Sequence, residues 1–192
     1  MTGKRPAAQF GLTYDDPLGW YAGAFGSTVR LVPPAGWGVQ GQAFAGYAMR
    51  LASGVSVEAG GAHSWFADAS RFNYTDLYAG ASTENMSARL HYSPRYYGQS
   101  ANAWYGELNY AIPLIDSFRL FSHAGYLYTS GNSFYGSGSD RRVVDVQIGL
   151  SADFDQFHVE LSWVGINRAY VGYRLTRSYS PNTALFTVSR AF

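Results

Sequence analysis

The chain has no cysteine, which excludes disulfides, thiolate metal sites and a cysteine nucleophile. Lysine is almost absent: Lys4 is the single one among 14 basic residues, and charged residues make up 14% of the 192. A net charge of +1, with no concentrated basic face, argues against nucleic acid as a partner. No apolar run approaches the ~18 residues that a membrane helix needs, and no segment keeps a 3.6-residue period. The opening MTGKRPAAQF lacks the apolar stretch of a secretory signal, as in a cytosolic protein or in a mature or trimmed chain with an added Met.

What is present is Tyr (16), Gly (22) and alternation of period two. In VVDVQIGLSADFDQFHVELSWVGI, Val144, Val146, Ile148, Leu150, Ala152 and Phe154 alternate with Asp145, Gln147, Gly149, Ser151 and Asp153. After the turn the pattern resumes with Phe157, Val159, Leu161 and Trp163 against His158, Glu160 and Ser162. Two such runs joined by a tight turn are a β-hairpin. The pattern recurs and predicts strands near 7–14, 19–31, 39–51, 55–66, 72–82, 86–94, 102–114, 118–129, 142–154, 156–166 and 183–192. Short connections (DDPLG, ASG, TEN, IDS, DFDQ) alternate with longer polar and aromatic ones. The expected fold is all-β: an antiparallel up-and-down barrel, with the short turns at one end and the long loops at the other.

The faces decide between a soluble and a membrane barrel. A soluble exterior this large calls for many Lys and Glu, and one Lys fits poorly. The polar face is sparse: small residues separate Arg50, Glu58, Asp76, Arg89, Glu107, Arg119, Asp145 and Glu160. The apolar face is punctuated near strand ends by Trp20, Tyr21, Tyr47, Trp65, Tyr92, Trp104, Tyr126, Tyr128 and Trp163, as interfacial aromatic girdles would be. The expectation is a transmembrane barrel with its oily face outward.

The ending LFTVSRAF is strand-like and closes on Phe192, which resembles the terminal signal read by the outer-membrane assembly machinery. With that end periplasmic, the strand at 7–14 starts at the extracellular side. Single-chain bacterial barrels have even strand counts. Residues 1–192 are therefore expected to form one barrel domain that lacks an N-terminal strand, with about eleven strands here and about twelve in the parent; the alternative is an eleven-stranded barrel closed by one parallel pair.

The segments RPAAQFGLTYDDPLGWYAGAFGSTV, NYTDLYAGAST, SARLHYSPRYYG, WYGELNYAIPL, FRLFSHAGYL and FTVSRAF resemble the TorF-type porins, a proteobacterial family of conserved hypothetical proteins. The similarity runs over the whole chain and is carried by strands, not by a catalytic motif. It implies the outer membrane of a Gram-negative bacterium, a porin role, and one more strand with a signal peptide ahead of RPAAQ. It implies no substrate.

The expected lumen lining is Arg50, Glu58, Asp76, Arg89, His91, Glu107, Arg119, His123, Asp145, His158 and Glu160. It reads either as a salt-bridged filling or as the lining of a narrow path for ions and small solutes. The long loops carry Arg71, Arg95, Arg141, Arg142, Arg168, Arg174 and Arg177 against Asp68 and Asp140. This basic mouth suits lipopolysaccharide phosphates, or the gathering of anionic solutes. The glycine-rich SGNSFYGSGSD is followed by no helix and reads as a flexible loop. Neither enzyme nor metal site nor cofactor is expected. His63 is the one histidine on the oily face, beside Trp65, and Ser64 points the other way, so no serine–histidine pair forms. The leading function is a porin, its rival a non-conducting structural or adhesive barrel acting through its loops, and a third option is a soluble ligand-binding barrel.

Overall fold

A computed structural model describes residues 8–30, 37–67, 69–130, 142–167 and 182–190. It contains eleven strands: β1 (Gln9–Asp15), β2 (Trp20–Arg30), β3 (Trp37–Arg50), β4 (Ser56–Phe66), β5 (Tyr74–Ser82), β6 (Met86–Ser93), β7 (Ala103–Ile115), β8 (Phe118–Thr129), β9 (Arg142–Phe154), β10 (Phe157–Ile166) and β11 (Asn182–Arg190). They form a single sheet in chain order, each strand antiparallel to the next. This is the up-and-down meander that the alternation predicts. The observed strands start and stop within a few residues of the predicted ones. One shift has a local cause: Ser70–Phe72 is a short 3-10 turn, so β5 begins at Tyr74.

Turn chemistry sets the register. Between β1 and β2, the Asp16 carboxylate accepts a hydrogen bond from the Leu18 amide at 2.8 Å. Gly19 supplies the left-handed backbone, φ +98°, that closes the loop, a region glycine enters without steric cost. Between β9 and β10, Asp155 takes φ +53°, which Asp tolerates better than most residues. Pro113 in β7 has no amide to give, and the β7–β8 register slips there, between Pro113 and Ile115.

Burial is inverted relative to a soluble protein. In β5 the polar side chains Asp76 and Tyr78 are half-buried, while Leu77 between them is 57% exposed. In β10, Leu161 is 58% exposed and Ser162 only 6%. The hydroxyl side chains Ser64, Ser93 and Thr129 are almost completely enclosed. Leu108, Ile148, Leu150 and Trp163 all lie open on the other face. Small apolar clusters exist at the loop end, around Phe66 and Phe72 and around Leu127 and Val143, but among the described residues no hydrocarbon core fills the polar side. Such a sheet is stable where the surrounding solvent is itself hydrocarbon.

Candidate functional site

The polar face orders its side chains along two neighbouring cross-strand rows. One runs Glu58 (β4), Gly80 (β5), Arg89 (β6), Glu107 (β7), Gly125 (β8) and Asp145 (β9), each directly opposite the next. The other, two residues nearer the long loops, runs Tyr21 (β2), Gly46 (β3), Gly60 (β4), Tyr78 (β5), His91 (β6) and Tyr105 (β7). Strands in a barrel are tilted, so a row climbs obliquely. Glu58 stands third from the short-turn end of β4, Asp145 fourth from the loop end of β9.

Glycines are the seats on which the long side chains lie. A Cβ on Gly60 would fall 2.5 Å from the Tyr78 hydroxyl, and one on Gly46 would fall 2.5 Å from the Tyr21 ring. With both positions bare, the two phenols lie along the wall and meet at 2.9 Å. Gly80 likewise clears the path between Glu58 and Arg89. Two clusters result. In the first, Nε and Nη2 of Arg89 donate to the same Glu58 oxygen, Oε1, at 2.8 and 2.6 Å. The Tyr21 hydroxyl lies 2.9 Å from Oε2 and donates to it. The Arg89 guanidinium also lies over the Tyr78 ring at 5.2 Å. In the second, His123 Nε2 is 2.9 Å from Asp145 Oδ1 and Nδ1 is 2.7 Å from Asn109 Oδ1. Tyr105 donates to the same carboxylate at 3.3 Å. Asn109 gives its amide to Ser87 Oγ at 3.3 Å, which leaves its oxygen toward the histidine. Both ring nitrogens thus have an oxygen partner on the wall.

The remaining predicted lining residues divide by height. His91 sits between Tyr78 and Tyr105, at 5.6 and 6.0 Å between ring centres. Asp76 lies on the same face nearer the loops and Glu107 lies between the two clusters. Arg50 and Arg119 stand exposed toward the short turns. His158 bridges Asp153 at 2.6 Å and Glu160 at 3.0 Å near the β9–β10 turn. Charge spacing along strands marked the acids and bases. It did not mark Tyr21, Tyr78, Tyr105 and Asn109, whose roles depend on register across strands. Tyr21 corrects one expectation. It belongs to the polar face, not to the girdle, because its hydroxyl reaches Glu58 over Gly46.

Of the mouth arginines, Arg71 lies over the Phe72 ring at 4.8 Å and Arg95 is exposed beside a short 3-10 turn. Arg142 pairs with Tyr128 on the oily face at the loop end. Arg141, Arg168, Arg174, Arg177, Asp68, Asp140 and Phe192 fall outside the described residues, as does most of the glycine-rich loop. On the oily face His63 stacks on Trp65, and its Nδ1 is 2.9 Å from the Thr75 hydroxyl. That threonine was not singled out from the sequence. Ser64 instead accepts from Gln42 at 3.1 Å on the polar side.

A family model described as a bacterial protein of unknown function (Gcw_chp) matches residues 1–192. Among solved structures, the NanC porin superposes with a TM-score of 0.65 at 14% identity, covering 97% of this chain and 93% of that one. A KdgM porin solved in complex with disordered oligogalacturonate gives 0.60 at 14% identity, covering 97% and 92%. No curated protein matches the sequence. The eleven-stranded antiparallel sheet thus has the fold of a porin β-barrel.

Proposed function

We propose that this chain, which belongs to the Gcw_chp family of bacterial proteins, is a porin of the Gram-negative outer membrane that passes small solutes or ions. The observation that carries this is the inversion of the faces. Leu77, Leu108, Leu150 and Leu161 are exposed, while Asp76, Glu107, Asp145 and Glu160 on the same strands are half-buried. Water would not retain the first set on a surface, and lipid would not tolerate the second. The porin fold agrees with that orientation. The TorF-type resemblance belongs to the same reading.

Several further assignments follow from it. Arg142, beside Tyr128 on the oily face at the loop end, is placed to meet lipopolysaccharide phosphates, and Arg71 and Arg95 extend that rim. Phe192 serves the assembly machinery. Among the described residues no pairing joins β1 to β11, and open edges are costly in lipid. One further strand between them closes a barrel of about twelve. The oligogalacturonate held by the KdgM structure is an acidic chain. Among the described residues the polar face carries more carboxylates than guanidinium groups, so that ligand class does not suit it.

The competing function is a sealed barrel, favoured by the Glu58–Arg89 and His123–Asp145 pairs that tie side chains across the wall. Planar bilayers containing the folded full chain separate the two. The porin reading expects a discrete unitary conductance that changes when Arg89→Ala opens the first cluster. Electrical silence from folded protein would favour the sealed barrel.

A further inference from the structure

We infer that the lumen prefers cations to anions, and that Glu107 is the side chain that sets this preference. The inference rests on the porin reading and specifies the class of ion that such a pore would pass.

The balance of commitments along the charged row carries it. Arg89 is engaged with Glu58 through two hydrogen bonds and lies against the Tyr78 ring. Its field is therefore largely cancelled at short range. Asp145 is engaged as a hydrogen-bond acceptor, by His123 at 2.9 Å and by Tyr105 at 3.3 Å, and the other nitrogen of His123 is held by Asn109. Glu107 stands between these pairs, directly opposite Arg89 on one side and Gly125 on the other. Among the described residues it makes no hydrogen bond and no ion pair. Geometry explains why Arg89 pairs with Glu58 and not with Glu107, the acid directly opposite it. Gly80 leaves an unobstructed path to Glu58 two strands away, where Tyr21 donates to the carboxylate and the Tyr78 ring lies against the guanidinium.

Asp76, on the same face toward the loops, likewise has no cationic partner among the described residues. Among the described residues the middle of the wall thus holds two carboxylates without an ion pair, Glu107 and Asp76, while its guanidinium, that of Arg89, is paired with Glu58 and the His91 ring lies between those of Tyr78 and Tyr105. Arg50 and Arg119 lie at the short-turn rim, beyond the row. Glu107 is fifth of the thirteen residues of β7, so an ion crossing the barrel passes it well inside both rims. Acidic side chains lining a narrow path favour cations by raising their local concentration and lowering that of anions.

The test is the reversal potential of the full-length protein in planar bilayers under a tenfold KCl gradient. Wild type is expected to prefer K⁺ over Cl⁻ by about threefold or more, the scale of one partly screened charge a few ångströms from the ion path. Glu107→Gln is expected to lower that ratio by about twofold or more. Should Glu107→Gln fail to fold, Asp76→Asn tests the same balance and is expected to lower the ratio in the same direction. Equal permeability or an anion preference in wild type would overturn the inference while leaving the pore intact. An unchanged ratio in folded Glu107→Gln would overturn the assignment to Glu107. Absence of any current from folded protein would instead defeat the pore reading, and this inference with it.

Discussion

At the scale of single residues, the polar wall is organised by where side chains are missing. Tyr21 and Tyr78 reach each other because Gly46 and Gly60 between them carry no Cβ. The same device lets Glu58 span β5 to Arg89. Sequence reading found the charged residues, because alternation places Glu58, Arg89, Glu107 and Asp145 on one face. Their pairing was not legible. Pairing is a property of cross-strand register, and a one-residue change of register would exchange every partner. The space over Gly60 is directly testable. Gly60→Val puts branched carbon 2.5–2.6 Å from the Tyr78 phenol and the Ala45 carbonyl, so the ring must leave its seat. A loss of about 1–3 kcal/mol is expected from such overpacking, read as a lower urea midpoint for unfolding from lipid vesicles. An unchanged midpoint would show that the phenol row contributes no stability.

At the scale of the strand, each element is a ribbon with two unlike sides, and this was the most legible part of the chain. All eleven strands were visible in the alternation. Their ends shifted where local geometry intervened, as at the 3-10 turn ahead of Tyr74. Tyr21 shows the limit: an aromatic near a strand end suits a membrane girdle, and hydrogen bonding to Glu58 assigns it to the other side. β10 offers the sharpest contrast, with Leu161 open on one side and Ser162 enclosed on the other. Arg at the lipid face near mid-strand costs about 2–4 kcal/mol in a barrel. Leu161→Arg is expected to destabilise the folded protein in vesicles by that amount, measured by urea titration. Little change would mean that this face meets water, as in a soluble barrel.

For the whole molecule, a scarcity of lysine, an absence of cysteine and an excess of small and aromatic residues already pointed to a barrel in a membrane. Which face looks outward is the point on which the pore, the charged row and the lipid-facing mouth all depend. The lack of native cysteine makes that orientation directly measurable. Nitroxide labels on single-cysteine variants in lipid bilayers report collisions with oxygen, enriched in hydrocarbon, or with a water-soluble nickel complex. Leu108→Cys, Leu150→Cys and Leu161→Cys are expected to favour oxygen, and Asn109→Cys and Ser162→Cys on the facing side are expected to lose that preference. Nickel-dominated collisions at the three leucine positions, with oxygen-dominated ones at Asn109 and Ser162, would contradict the orientation and everything derived from it.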